Sequence, residues 1–74
     1  MITLTNEDAT YVRWKLDQSI AELRRAEAAA RRRADSNLVA KRAETYLADA
    51  LYRAQAEMKK AYQGVNANKE MSNG

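Results

Sequence analysis

The 74-residue sequence contains no Cys, His, Pro or Phe, and its 13 basic and 10 acidic side chains give a net charge of +3. This composition excludes a disulfide framework, a metal site built from thiolates or imidazoles, and an ordinary proton shuttle near neutral pH. Purely apolar runs such as Ala28–Ala30 are short. We therefore expect no membrane-spanning segment, no secretory signal and a soluble, cytoplasmic protein.

The first half of the chain has the pattern of one long helix. Thr5 and Asp8 form a Thr-x-x-Asp capping pattern, which marks a helix start. Apolar residues then recur every three or four positions, which is the helical period. This stripe consists of Ala9, Val12, Leu16, Ile20, Leu23, Ala26, Ala30 and Ala34. We predict a helix over about residues 6–34, supported by an i,i+4 ion pair between Glu27 and Arg31.

A short polar segment, Asp35-Ser36-Asn37, interrupts the helical pattern. These residue types are poor in helix interiors and good as caps. We predict a tight turn over residues 35–37, with Asp35 or Ser36 capping a second helix. The alternative is one unbroken helix that passes through Ser36 in a long coiled coil.

The second half predicts a second helix over about residues 38–63. Gly64 is the expected stop, because glycine is the favoured residue just beyond a helix end. Its apolar stripe consists of Ala40, Ala43, Leu47, Leu51, Ala54, Met58, Ala61 and Val65. Asp49 and Arg53 are spaced for an i,i+4 ion pair. The polar tail, residues 66–74, is expected to be disordered.

These elements predict an all-α fold, in which residues 1–65 form an antiparallel, coiled-coil-like hairpin of two helices. The two stripes hold few large aliphatic side chains, and chains of this size usually need a disulfide, a metal or self-association for stability. Because Cys and His are absent, we expect a homodimer, most simply a four-helix bundle.

Seven basic side chains are concentrated in the middle of the chain, where only two acidic residues accompany them. They are Arg24, Arg25, Arg31, Arg32, Arg33, Lys41 and Arg42. In a hairpin this basic tip would gather near the turn and could bind phosphate or carboxylate groups. The alternative is a solvated helix end, because the helix dipole favours cations in the last turn of the first helix. The dipole does not explain Lys41 and Arg42 at the start of the second helix.

A second candidate surface centres on Trp14, which falls nearly opposite the apolar stripe of its helix. Trp14, Gln18, Arg25 and Arg32 share this outer face. Trp and Arg are enriched at binding hot spots, so this strip, with Tyr52 of the second helix, is a candidate protein-binding surface. The alternative is that Trp14 covers a neighbouring subunit within the homo-oligomer.

Nothing in the sequence indicates catalysis or a cofactor. The serines have no His to activate them, and no Gly-rich phosphate loop is present. We expect no enzyme activity, no catalytic residue, no metal, no cofactor and no small-molecule ligand.

The segment Ala48–Arg53, followed by a glycine and a polar tail, resembles the second helix of the Rop family of plasmid copy-control proteins. Members of that family are helical-hairpin dimers that bind paired RNA loops. The resemblance implies a hairpin dimer. The family's RNA-binding residues lie on its first helix, and none of them is matched to a position here.

The leading functional hypothesis is a small, non-enzymatic, helical protein–protein interaction module. It would be a regulator, inhibitor or adaptor of the kind frequent in phages and mobile elements. The alternative is a nucleic-acid-binding hairpin that uses the basic tip. A third interpretation is an assembly scaffold that only spaces other proteins.

Overall fold

The computed structural model describes the backbone of residues 4–71 and the side chains of residues 4–66, and these residues form two α-helices. Helix α1 spans Asn6–Ser36 and helix α2 spans Lys41–Met71. The helices pack against each other in antiparallel orientation, since Arg13 contacts Asn66 at one end and Arg33 contacts Glu44 at the other. The predicted helical hairpin is confirmed, and the alternative of one unbroken helix is wrong.

The start of α1 is the one that the capping pattern predicts. Thr5 has an extended backbone, and its Oγ1 accepts a hydrogen bond from the Asp8 backbone N–H at 3.1 Å. Glu7 and Asp8 place negative charge in the first turn, where the helix dipole favours it. The predicted ion pair between Glu27 and Arg31 also forms, at 2.7 Å.

The turn lies later than the sequence predicts. Helix α1 continues through Asp35 and Ser36, and the connection covers residues 37–40. The Asn37 side chain shapes it, because its Oδ1 accepts hydrogen bonds from the backbone N–H groups of Val39 at 3.1 Å and Ala40 at 3.4 Å. The prediction that Asp35 or Ser36 caps the second helix is wrong, because both residues belong to α1; Asn37 is the C-cap residue of α1, and its side chain organises the turn, as Asn commonly does.

Helix α2 does not stop at Gly64. It runs to Met71, and Gly64 has no positive φ. Val65 is buried and Asn66 accepts a hydrogen bond from Arg13 of α1, so packing against α1 holds the helix beyond the glycine. Residues 66–71 of the expected disordered tail are thus helical, while residues 1–3 and 72–74 lie outside the described residues.

On α1, the residues facing α2 largely follow the predicted stripe. Ala9, Ala30 and Ala34 are buried. The four larger members, Val12, Leu16, Ile20 and Leu23, are half-buried. Ala26 is the exception and is exposed.

On α2, the predicted stripe is rotated away from α1. Ala43, Leu47 and Ala61 of that stripe are exposed, with Leu47 at 40%. The residues that face α1 instead include the buried Ala48 and Gln55. They belong to a row with alternating steps of four and three: Glu44, Ala48, Leu51, Gln55, Met58, Tyr62 and Val65. This row, named here the hairpin seam of α2, has the spacing of a coiled-coil contact.

The core of the single hairpin is small. Among the described residues no large side chain is fully buried, and the buried apolar residues are four alanines and Val65. Neither helix, as far as the structure describes it, has a stretch long and apolar enough to cross a membrane.

Candidate partner-binding surfaces

The outer face of α1 carries an aromatic cluster near its start. Trp14 is two residues from both Val12 and Leu16, which places it on the opposite side of the helix from α2. It is 52% exposed. The Tyr11 ring packs edge-on against the Trp14 ring, with 6.2 Å between the ring centroids and 61° between the planes. The structure therefore presents two large rings in edge-on contact to solvent.

A cation completes this cluster. The Lys15 ammonium lies 4.5 Å from the centroid of the Trp14 ring and 5.6 Å from that of Tyr11. Both distances are within the range of a cation–π contact. The rings thus hold a positive charge beside an apolar surface. The strip predicted from the sequence included Trp14 but neither Tyr11 nor Lys15, although the i,i+3 spacing of Tyr11 to Trp14 is the signal from which the pair could be found.

The other predicted members of the Trp14 strip lie at increasing distances along the same outer face. Gln18 is one turn from Trp14, and Arg25 and Arg32 follow at roughly 16 and 27 Å along the helix axis. All three are exposed. Only Gln18 is near enough to extend the aromatic cluster, and the two arginines form separate points of charge.

Tyr52 is not brought to the Trp14 cluster. It is exposed on α2, one turn before Gln55, whose side chain hydrogen-bonds to Glu27 of α1. This pairing places Tyr52 level with about residue 30 of α1, roughly 24 Å from Trp14 along the hairpin axis.

The structure divides the predicted basic tip into three groups. Arg24 and Arg25 lie about 18 Å from the end of α1, at 1.5 Å per residue, so they are not at the turn. Arg31 and Arg33 are near the turn but form ion pairs within the hairpin: Arg31 with Glu27 and Asp49, and Arg33 with Glu44. Three exposed members around the turn form no ion pair among the described residues: Arg32, Lys41 and Arg42.

Two aliphatic side chains project from the turn between these cations. Leu38 is 82% exposed and Val39 is 96% exposed. The Asn37 side chain fixes the backbone that carries them. The predicted second helix, residues 38–63, included both Leu38 and Val39, but the structure places them in the turn before α2. The turn is therefore an exposed apolar point beside the cations Arg32, Lys41 and Arg42, with the exposed carboxylate of Asp35 also nearby.

A polar cluster crosses the hairpin at mid-length. The buried Gln55 donates from Nε2 to Oε1 of Glu27 at 2.7 Å, and Arg31 donates from Nε to Oε2 of the same carboxylate at 2.9 Å. The hydrogen bonds from Arg31 and then Gln55 lower the pKa of Glu27, against the opposing effect of burial. The bond to Glu27 in turn raises the pKa of Arg31. Asp49 lies 3.6 Å from Arg31 across the hairpin. The i,i+4 spacing had instead predicted an ion pair between Asp49 and Arg53.

The described residues thus form a helical hairpin that carries exposed aromatic and basic side chains on its outer surface. Among the described residues, no three His, Cys, Asp or Glu side chains are grouped so that they could hold a metal ion. No family model matches the chain, and no curated protein or solved structure matches it either.

Proposed function

We propose that this chain is a non-enzymatic helical interaction module that acts as a homodimer and docks on a protein partner through the Tyr11–Trp14–Lys15 cluster. The observation that carries the proposal is Trp14 itself, a half-exposed indole on the face of α1 that points away from α2. A large ring in that position adds little to the stability of the hairpin. Trp and Tyr supply much of the binding energy at protein interfaces, since they bury large areas with few rotatable bonds.

The cluster also suggests the chemistry of its partner. Its rings offer an apolar surface, and the Lys15 ammonium lies above them with further exposed cations along the same helix face. A complementary surface has an apolar pocket for the indole and carboxylates at its rim. This combination is typical of a folded protein partner and needs no phosphate backbone.

The homodimer is the second part of the proposal, and the size of the core supports it. Among the described residues, every large aliphatic side chain except Val65 is partly exposed, which leaves much of the apolar surface in water. Chains of this length commonly complete their core by self-association. A four-helix bundle of two hairpins is the simplest arrangement that does so.

Intrinsic fluorescence tests the docking surface directly, because Trp14 is the only tryptophan in the chain. The partner is first captured from a lysate on immobilised wild-type protein and identified. We then expect its addition to shift the Trp14 emission to shorter wavelength and to protect the indole from acrylamide quenching. Trp14→Ala should abolish the capture. The matched control is Tyr52→Ala, an exposed aromatic on the other helix, which should leave capture intact.

Two results would contradict this assignment. Equal capture by Trp14→Ala and wild type would remove Trp14 from the interface. Capture that nuclease abolishes, and that weakens with a log–log salt slope near −0.9 per contacted phosphate, would favour a nucleic-acid binder instead. Nucleic-acid binding by the turn is then tested with a variant in which Arg32, Lys41 and Arg42 are replaced by Gln, because these cations around the turn are outside the ion pairs.

A further inference from the structure

The turn of the hairpin ends in two exposed aliphatic side chains. Leu38 and Val39 lie between the end of α1 at Ser36 and the start of α2 at Lys41, so they occupy one extremity of the elongated molecule. Among the described residues they are the most exposed large hydrophobic side chains, at 82% and 96%. Neither stabilises the hairpin by burial, so their apolar surface is available to a partner.

Several backbone donors of the turn are bonded within the turn itself. Oδ1 of Asn37 accepts hydrogen bonds from the N–H groups of Val39 and Ala40, and the Lys41 N–H donates to the Leu38 carbonyl at 3.4 Å. A backbone group that enters an apolar layer must have its hydrogen bond within the protein, because water is absent there. The pairing of these donors therefore lowers the cost of moving the turn out of water.

Cations lie just behind this apolar extremity. Lys41 and Arg42 begin α2, and Arg32 lies one helical turn before the end of α1, about 6 Å back along the helix axis. Residues 32–44 contain four basic and two acidic side chains, a net charge of +2. One of the two acids is paired within the hairpin, and the other is the exposed Asp35. The balance of charge behind the aliphatic pair is thus positive.

We propose that this turn binds the surface of an anionic lipid bilayer, with Leu38 and Val39 among the lipid chains and Arg32, Lys41 and Arg42 at the phosphate groups. The order of polarity along the hairpin axis matches that of a bilayer. Each headgroup layer is about 5–7 Å thick, and the cations lie behind the aliphatic pair by a similar distance. Contact of this kind inserts the turn alone and needs no membrane-spanning helix.

The aliphatic pair favours a bilayer over a nucleic acid or a protein. Nucleic acids present phosphates to cations and bases to aromatic rings, and residues 32–45 contain no aromatic ring. Two aliphatic groups at the extremity would meet phosphate with nothing to bury them. A convex point of this size also falls short of the roughly 800 Å² per partner that a stable protein interface uses. In a bilayer the aliphatic groups enter hydrocarbon while the cations contact the phosphates.

The turn is remote from the Trp14 cluster. Trp14 lies about 33 Å from the end of α1, at 1.5 Å per residue. A turn held at a bilayer leaves the Trp14 cluster accessible to a protein partner. Lipid binding by the turn is therefore a second activity that does not depend on the docking surface proposed above.

Co-sedimentation of the full chain with lipid vesicles tests the proposal. We expect binding to vesicles that contain about 30% phosphatidylserine, and at least tenfold weaker binding to pure phosphatidylcholine, because each cation near an anionic surface contributes about fivefold in affinity. Arg32→Gln/Lys41→Gln/Arg42→Gln should weaken binding to the anionic vesicles at least tenfold.

A matched control removes the same charge from three exposed cations that lie about 18 Å or more from the turn along the helices. This control variant is Arg24→Gln/Arg53→Gln/Lys59→Gln. It should weaken binding less than about threefold, because charges at that distance from the bilayer are largely screened at physiological salt.

A second variant separates insertion from attraction of charge. Leu38→Asn/Val39→Thr keeps the net charge and nearly the size of both side chains while making them polar. It should weaken vesicle binding at least tenfold, since full burial of one such aliphatic side chain is itself worth about tenfold or more. A dye on Val39→Cys measures insertion in the otherwise unchanged chain, which has no other Cys. Its emission should shift to shorter wavelength on vesicle addition, and that of Trp14 should not.

Four results would overturn the proposal. They are no wild-type binding at about 1 mM lipid, equal weakening by the two triple variants, binding unaffected by Leu38→Asn/Val39→Thr, and a Trp14 shift without a dye shift at Val39→Cys. Oligonucleotide binding in place of vesicle binding would assign the turn to nucleic acid. Circular dichroism should show wild-type helicity in every variant, because the substituted side chains are exposed. Should a variant lose helicity, the dye shift decides. Capture of a protein by Trp14 is measured separately, so failure here leaves the proposed function intact.

Discussion

Ala48→Leu is the substitution that tests most directly how closely the two helices approach. Ala48 is fully buried in the hairpin seam of α2, where it faces α1. A leucine adds three carbon atoms at a position with no space for them, so the helices must separate or the side chain must leave its preferred rotamer. Overpacking of this kind costs about 1–3 kcal/mol. Ala and Leu differ little in helix propensity, so the cost reports packing.

The assay is thermal unfolding followed by circular dichroism at one fixed protein concentration. For a domain of this size, 1 kcal/mol moves the Tm by about 4–8 °C, so Ala48→Leu should lower it by at least about 4 °C. The control is Ala56→Leu, which makes the same change at an exposed site two turns later and should alter stability by less than about 0.5 kcal/mol. An Ala48→Leu variant as stable as wild type would refute the close approach of α2 to α1.

Two further predictions concern the polar cluster and the interior glycine. Hydrogen bonds from Arg31 and Gln55 hold the pKa of Glu27 below its ordinary 4.5, so its ionised form stabilises the fold above that pH and the gain is lost as pH falls through the lower folded value. The urea midpoint of wild type should therefore exceed that of Glu27→Gln at pH 7, and the difference should shrink below about pH 4.5; a difference constant from pH 7 to pH 3 would contradict this. Gly64→Ala should stabilise the chain by about 0.5–1 kcal/mol, because a Cβ there meets nothing within 4 Å and the helix continues through the site. A lower Tm for Gly64→Ala would show that α2 does not remain helical at that residue.

Local signals in the sequence predicted the features of the fold that depend on neighbouring residues. The Thr5 cap, the Glu27–Arg31 pair and the α1 stripe follow from spacing within a single helix. The hairpin follows from the break between the two periodic segments. These predictions held because the same few residues that carry the signal also make the contact.

Features decided by contacts between the helices could not be predicted in this way. Gly64 is a strong stop signal by itself, but burial of Val65 against α1 outweighs it. By residue type Gln55 is expected at the surface, yet its hydrogen bond to the carboxylate of Glu27 makes its burial favourable. The outward position of Trp14 was predicted from the sequence, whereas the exposed Tyr11 ring beside it and the Lys15 ammonium above it were not, because both depend on side-chain conformation.

The rotated stripe of α2 has a physical reason that connects the fold to the proposed dimer. A helix that packs against a single partner needs one apolar stripe centred on the contact. The stripe predicted from the sequence instead contains members of two adjacent rows. Leu51 and Met58 belong to the hairpin seam of α2, and Leu47 and Ala61 belong to the row that lies one residue before each seam position. An apolar arc spread over two contact rows is expected for a helix with two neighbours, as in a four-helix bundle. The side chains that appear misplaced in one hairpin are therefore the ones a second hairpin would cover.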